Sequence, residues 1–181
     1  MKPILIIVAP KDFRDEEFFE TKEELEDAGH KTVTASIHKG ICHGSKGGKT
    51  IAEMGIEEVD TDDYEGVVFI GGPGSEIYFN NANAHRIAKE MNADEKIVAA
   101  ICIAPVIIAK SGLLKNKKAT VYPTEIDSIK RYGAIYSGLA VSQDRNIITA
   151  DGPKSVRAFG QFIAKAIAEN MHKSVLNNRL K

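Results

Sequence analysis

The sequence predicts a single-domain α/β protein whose sheet is mostly parallel and carries helices on both faces. Strand-like and helix-like segments alternate along the whole chain, which is the order that produces parallel sheets. The run 97–101 is continuously apolar and rich in β-branched residues, as in strands covered on both faces. The 181 residues contain no repeat, low-complexity tract or linker, so we expect one domain over 1–172 and a solvated tail over 173–181.

The first half of the chain predicts a strand, a helix and a second strand, over 4–9, 16–28 and 31–36. Gly29 ends the helix, because glycine readily adopts the left-handed conformation that follows a helix. The glycine-rich segment 40–50 then predicts a short hairpin with arms at 41–43 and 49–51.

The second half continues the alternation. Strands are expected over 66–70, 97–101 and 119–122, and helices over 84–91, from Cys102 to 111–112, and over 125–132. Thr124 is the expected N-cap of the helix over 125–132. A hairpin over 141–149 should turn at 144–146. A final amphipathic helix has its apolar stripe at Val156, Phe159, Ile163, Ala166 and Ile167.

Composition narrows the classes of function. Lys and Arg total 24 against 25 Asp and Glu, and the basic residues form no stripe, which argues against a nucleic-acid partner. The apolar start is too short for a signal peptide, and no run reaches membrane-spanning length. Cys42 and Cys102 are far apart in the sequence and form no disulfide framework, so we expect a cytoplasmic protein.

Cys102 is the first candidate for chemistry. It follows the buried run 97–101 and precedes Pro105, a residue that suits the first turn of a helix. Ala100 lies two positions before it and Ala104 two positions after it, and a sharp strand-to-helix turn requires small residues at these positions. The thiol should project at the carboxyl end of the sheet, and the helix amino terminus should favour its thiolate.

Active sites in parallel sheets lie at the carboxyl ends of strands, which directs attention also to the loops 10–15 and 71–76. Glu17 lies just after the first loop and is expected either on an acidic helix face or against Cys102. A carboxylate beside a thiolate is unfavourable, so one member of such a pair should hold a proton.

The segment Gly71-Gly72-Pro73-Gly74 follows a strand, and its amides are suited either to a tight turn or to an oxyanion site. It matches neither a phosphate-binding loop nor a dinucleotide fingerprint, so no cofactor is predicted. Glu76 beyond it is either a helix-start acid or a second carboxylate. Cys42-His43 offers only two metal ligands, so no metal site is predicted. No general base is obvious among the histidines, His30, His38, His43, His85 and His172.

Several ordered motifs together resemble the DJ-1/PfpI superfamily over nearly the whole chain. They are Phe13-Arg14-Asp15-Glu16-Glu17, the run 25–33, Val68-Phe69-Ile70-Gly71-Gly72-Pro73-Gly74, Val98-Ala99-Ala100-Ile101-Cys102-Ile103-Ala104-Pro105, the run 109–115, Tyr122-Pro123 and Asp151-Gly152-Pro153.

The resemblance implies a flavodoxin-like three-layer α/β/α sandwich that assembles as a homodimer or higher homo-oligomer. It implies a nucleophile-elbow cysteine at Cys102, a hydrogen-bonding acid at Glu17, and oxyanion-binding amides at Gly72 and Ile103. Glu76 and Tyr122 occupy accessory positions. In one branch a histidine follows the cysteine, where this chain has Ile103. In the other a histidine often stands where this chain has Tyr122.

The missing histidines bear on function, because a cysteine peptidase needs a base that also protonates the leaving amine. Small reactive carbonyls are better electrophiles, and Glu17 is placed to move the proton. We therefore expect a glyoxalase-like or deglycase-like activity in stress protection. The alternatives are a non-enzymatic redox sensor or chaperone that uses Cys102, and an intracellular peptidase of the PfpI type.

Overall fold

The computed structural model describes the backbone of residues 1–179 and the side chains of residues 1–172. The strands in this part are β1 (Ile4–Ile7), β2 (Lys11–Phe13), β3 (Thr32–Ser36), β4 (Gly40–Gly44), β5 (Lys49–Ala52), β6 (Met54–Gly55), β7 (Gly66–Phe69), β8 (Ile97–Ile101), β9 (Lys118–Ala119), β10 (Ile135–Tyr136), β11 (Val141–Asp144) and β12 (Ile147–Ala150). The helices are α1 (Asp15–Asp27), α2 (Ala82–Ala93), α3 (Pro105–Lys110), α4 (Ile126–Arg131) and α5 (Val156–Arg179), several of them entered through a 3₁₀ turn.

Seven strands form the central sheet in the order β11-β12-β8-β7-β1-β3-β6. Only β11 runs antiparallel, against β12, so the prediction of a mostly parallel sheet is confirmed. Strands β1, β7 and β8 are buried along their whole length. Their continuous apolar runs follow from this position, because helices cover both faces of the sheet.

The helices form the two outer layers. Helices α1 and α5 pack against each other, and α5 lies on β8 and β12. Helices α2, α3 and α4 pack in sequence on the other side, with α2 on β7 and β8. The predicted stripe of α5 is buried throughout, at Val156, Phe159, Ile163, Ala166 and Ile167. The arrangement is the predicted three-layer α/β/α sandwich.

Two hairpins match the sequence analysis. Strands β4 and β5 pair antiparallel, with Cys42 opposite Thr50, and β11 and β12 turn through Arg145, whose φ is 55°. Strand β2 was not predicted and adds a third strand to the β4–β5 hairpin. The tip of that hairpin is fixed to α1, because Asp15 accepts the amides of Lys46 at 2.8 Å and Gly48 at 2.6 Å.

Three sequence expectations are corrected. Thr124 lies inside a 3₁₀ turn that precedes α4, and the N-cap position belongs to Glu125, so the predicted threonine cap is wrong. The strand expected over 119–122 is reduced to β9, which pairs only with β10. The segment 173–179, expected as a tail, is helical and continues α5, while 180–181 lie outside the described residues. No helix within residues 1–179 is long and apolar enough to cross a membrane.

The strand order creates a crevice beside the first strand. From β1 the chain moves to β3 on one side, whereas from β7 it moves to β8 on the other. Such a reversal leaves an opening at the carboxyl ends of the strands where it occurs. The loops that begin at Pro10, Gly71 and Cys102 all leave the sheet at this edge.

A buried hydrogen-bond cluster fixes one wall of this crevice. The Val8 carbonyl, just past the end of β1, accepts the hydroxyl of Tyr78 at 2.8 Å and that of Ser36 at 2.7 Å. All three residues are almost completely buried. Tyr78 ends the 3₁₀ segment Pro73–Tyr78, so the cluster holds the glycine loop after β7 against β1.

We predict non-additive losses of stability when this cluster is dismantled. Tyr78→Phe and Ser36→Ala should each lower the free energy of unfolding by about 1 kcal/mol, because one donor to Val8 remains. The double variant should lose more than the sum of the two, because the buried Val8 carbonyl then has no donor. Urea unfolding of the natural sequence, the two single variants and the double variant measures this double-mutant cycle. Tyr132→Phe removes an exposed tyrosine hydroxyl and serves as the control. Strict additivity would contradict this account of the cluster.

Candidate active site

Cys102 lies at the turn between β8 and α3, and its φ is 64°. A non-glycine residue rarely adopts this left-handed conformation. Two backbone hydrogen bonds hold it there. The Cys102 amide donates to the Ala150 carbonyl at 3.0 Å, and the Cys102 carbonyl accepts the Tyr122 amide at 2.8 Å. Cys102 therefore lies in a sharp turn that joins a strand to a helix.

Glu17 lies in the first turn of α1 and is completely buried. Its Oε2 accepts the Gly71 amide at 2.9 Å. Its Oε1 has no hydrogen-bond partner of standard geometry among the described residues. The Cys102 thiol lies against the same carboxyl group, closely enough for each group to change the pKa of the other. The structure thus brings together Glu17 and Cys102, two residues that are 85 positions apart in the sequence.

The environment changes the pKa of both groups. Burial raises the pKa of Glu17 to about 7, and the hydrogen bonds with Cys102 and Gly71 oppose that rise. Burial, together with the Glu17 charge, raises the pKa of Cys102 to about 12. The amides of Gly72 and Ile103 donate to the sulfur and act in the opposite direction. The Ile103 amide at the helix end acts in favour of the thiolate, as expected from the sequence, but burial and the Glu17 charge outweigh it, so the resting pair keeps its thiol proton.

The loop after β7 approaches the pair so closely that only glycine fits. A Cβ atom at Gly71 would lie 2.6 Å from the Cys102 Cβ and 2.6 Å from the Glu17 Oε2. At Gly72, where φ is 94°, it would lie 2.5 Å from the Arg14 amide nitrogen. The absence of side chains lets the Gly71 amide reach Glu17 and the Gly72 amide reach the sulfur.

A cleft of about 650 Å³ opens above Cys102. Five residues singled out from the sequence line it, namely Gly72, Glu76, Cys102, Ile103 and Tyr122. Sequence reasoning assigned no part in chemistry to the cleft residues Arg14, Thr124, Glu125, Asp151 and Lys154. A signal existed for Asp151, because it directly follows β12 at the carboxyl edge of the sheet.

The accessory residues lie toward the opening of the cleft. Glu76 is exposed, and Tyr122 is 40% exposed with its ring against Gly152. Elsewhere, Cys42 is buried in β4 and His43 is exposed, because neighbours on a strand face opposite sides. Within residues 1–172 no three His, Cys, Asp or Glu side chains are grouped as metal ligands.

Comparison with known sequences identifies the family to which this chain belongs. The sequence profile of the DJ-1/PfpI family matches residues 2–166. The chain belongs to the DJ-1/PfpI family. An uncharacterized protein of Methanocaldococcus jannaschii is 45% identical to it over 170 residues, which are 92% of this chain and 83% of that protein.

Two further proteins that are similar to this chain have an informative name or structure. A protein of Thermococcus kodakarensis named as a deglycase is 30% identical over 90% of this chain and 98% of its own length. The crystal structure of a ThiJ/PfpI domain protein from Brachyspira murdochii has a TM-score of 0.91 at 30% identity, covering 93% of this chain and 99% of that one.

The raised pKa of Glu17 predicts that this DJ-1/PfpI protein is less stable at neutral than at mildly acidic pH. Between pH 4.5, the ordinary pKa of a glutamate, and about 7, the unfolded chain releases a proton that the folded chain retains. Stability should therefore fall as pH rises across this window, by about 3 kcal/mol at most.

Glu17→Gln removes this titration. Its free energy of unfolding, relative to the natural sequence, should rise from pH 4.5 to 7 and then level off. A difference in the free energy of unfolding that is the same at every pH reflects the new amide group. The prediction concerns only the part of the difference that changes with pH. Glu23→Gln, on the exposed side of α1, is the matched control and should lack the rise. A pH-independent difference for Glu17→Gln would show that Glu17 is not neutral when buried.

Proposed function

We propose that this protein is a cysteine-dependent enzyme that acts on small reactive carbonyls, with glyoxalase-like or deglycase-like chemistry. One observation carries the proposal: the buried Glu17 carboxyl lies against the Cys102 thiol, and two backbone amides donate to the sulfur. This arrangement supplies a nucleophile, a group that moves protons near pH 7, and donors for a developing oxyanion.

The first step is addition of sulfur to the aldehyde carbon of an α-oxoaldehyde such as methylglyoxal. As the C–S bond forms, the thiol proton passes to the Glu17 carboxylate. The aldehyde oxygen becomes an oxyanion that the amides of Gly72 and Ile103 stabilise. Glu17 suits this role because its pKa of about 7 places it half ionised at neutral pH. Proton return to the oxyanion gives a hemithioacetal.

The second step moves a proton between adjacent carbons. Glu17 removes the proton from the former aldehyde carbon and delivers it to the former ketone carbon. The hydroxyl proton on the first carbon passes to the oxygen of the second, so the hemithioacetal becomes a thioester with a hydroxyl group on the adjacent carbon. The first carbon is oxidised and the second is reduced, so no external oxidant is needed. Water then attacks the thioester, releases a 2-hydroxy acid and restores the Cys102 thiol with its proton. The net reaction adds one water to the dicarbonyl.

The deglycase name of the Thermococcus kodakarensis relative supports carbonyl chemistry. An aldehyde held on an amine as a hemiaminal has the same oxidation state at the reacting carbon. When the amine leaves with a proton, the free aldehyde returns to the same thiol. One site therefore serves both substrate forms, and proteins carrying such adducts are within the proposed substrate range.

Peptidase activity has less support in this cleft. Ile103 follows the cysteine, and the cleft residues within the described part of the chain include no histidine. An amide needs protonation of its leaving nitrogen, and losing a general acid-base costs about 10²–10⁴-fold in rate. An aldehyde has no leaving group to protonate, so addition to its carbonyl does not need a histidine in the cleft.

Turnover of methylglyoxal tests the proposal. Cys102→Ser should abolish lactate formation, and Glu17→Gln should reduce kcat/KM by about 10²–10⁴-fold. In the natural sequence kcat/KM should rise with pH through about 7, as Glu17 ionises, and Glu17→Gln should lose this rise. Cys42→Ala removes the cysteine buried outside the cleft and should retain full activity. Undiminished turnover by Cys102→Ser would refute the proposal.

A redox-sensing role is the second candidate, because the amides at the Cys102 sulfur would also stabilise a sulfenate or sulfinate. Oxidation proceeds through the thiolate, and the raised pKa of Cys102 opposes its formation. We therefore expect slow oxidation of Cys102 by dilute peroxide at pH 7, measured by mass spectrometry against Cys42. Fast oxidation confined to Cys102 would favour the sensor over the enzyme.

A further inference from the structure

Arg14 places a positive charge beside the reacting groups. It immediately precedes α1, and its amide donates to the Gly71 carbonyl at 3.1 Å. Through this bond it is tied to the loop that contacts both Glu17 and Cys102. Arg14 lines the same cleft as Cys102, and one third of its side chain is exposed.

The Arg14 guanidinium has unused donors. Its Nε donates to Glu16 Oε2 at 2.9 Å, while the other oxygen of Glu16 pairs with Lys46 at 2.8 Å. Among the described residues the terminal nitrogens Nη1 and Nη2 have no hydrogen-bond acceptor. A guanidinium presents its donors in a fork that matches the two oxygens of a carboxylate. Arg14 is therefore anchored through Nε and available through its terminal groups.

The other charged side chains in the cleft are either exposed or hydrogen-bonded to a neighbouring hydroxyl. Asp151 accepts the Ser155 hydroxyl at 2.5 Å, and Glu125 accepts the Ser128 hydroxyl at 2.6 Å. Glu76 and Lys154 are exposed. Arg14 also acts on the buried pair, because its charge lowers the pKa of Glu17. Arg14 therefore supplies a cation to the lining of the cleft, which also includes three acids.

We propose that Arg14 is a specificity residue that selects carbonyl substrates carrying a carboxylate close to the reacting carbon. The proposal rests on Cys102 being the reacting thiol. A carboxylate on the neighbouring ketone carbon would bind the terminal nitrogens of Arg14 while the aldehyde oxygen meets the amides of Gly72 and Ile103. The aldehyde carbon then keeps the C–H bond that the second step requires. Neutral dicarbonyls such as methylglyoxal lack this contact and would be the poorer substrates.

Two thiol reagents that differ in charge test the proposal without requiring turnover. Iodoacetate carries a carboxylate and iodoacetamide is its neutral counterpart. Their rates with Cys102 in a Cys42→Ala background are each divided by the rate with 2-mercaptoethanol. The normalised iodoacetate-to-iodoacetamide ratio should exceed one, by about fivefold at low salt, and should fall as salt is added. A ratio at or below one would overturn the proposal.

Variants separate a specific contact from general electrostatics. Arg14→Gln should bring the ratio close to one, and Arg14→Lys should restore part of it. Lys46→Gln is the matched control, because it removes a cation from the same Glu16 network without lining the cleft. An equal loss in Lys46→Gln would show a diffuse field and would also overturn the proposal.

Protection by aldehydes extends the test to substrate-like compounds. Glyoxylate carries a carboxylate on the aldehyde carbon and should protect Cys102 from iodoacetamide at concentrations about fivefold lower than methylglyoxal. Arg14→Gln should remove this advantage. If neither aldehyde protects Cys102 while the reagent ratio behaves as expected, the proposed carbonyl chemistry fails and the anion site stands. If methylglyoxal protects as well as glyoxylate, the specificity assigned to Arg14 is wrong.

Discussion

The contact between a buried carboxyl and a buried thiol dominates this structure. Neither Glu17 nor Cys102 reaches bulk water easily, and two adjacent anions would repel each other in a medium of low dielectric constant. The pair therefore holds a proton at neutral pH. The surrounding loop serves this contact: Gly71 approaches close enough to donate to the carboxyl, and Gly72 and Ile103 donate to the sulfur. The left-handed conformation of Cys102 turns its side chain toward them.

The sheet topology explains why these parts meet. Glu17, the glycine loop and Cys102 follow three different strands, β1, β7 and β8, which are neighbours in the sheet. Parallel strands present their carboxyl ends at one edge, so side chains far apart in sequence converge without a long loop. The Val8 carbonyl, with its two buried donors, then holds the glycine loop after β7 against the end of β1.

Much of this arrangement could be predicted from the sequence because burial leaves a clear pattern. The apolar run before Cys102 and the small residues around it predicted both the strand and the turn. Strand β2 could not be predicted, because Lys11-Asp12-Phe13 has no alternation and becomes a strand only by pairing with β4. The protonation of Cys102 depends on depth of burial, which no local pattern encodes. Arg14 and Lys154 look like ordinary surface residues until the fold brings them to one cleft.

The hairpin of β4 and β5 has a consequence for variation among related proteins. Hairpin tips usually tolerate substitution and insertion, but here Asp15 binds the tip two residues before Glu17. A Cβ atom at Gly44 or Gly48 would collide with the Asp15 carboxylate. The hairpin tip and the first turn of α1 should therefore be replaced together when segments are exchanged between related proteins. A chimera that received only the hairpin would pair a foreign tip with Asp15, close to Glu17 and the Cys102 thiol. A chimera that received Asp15 together with its own hairpin would keep the hydrogen bonds between them.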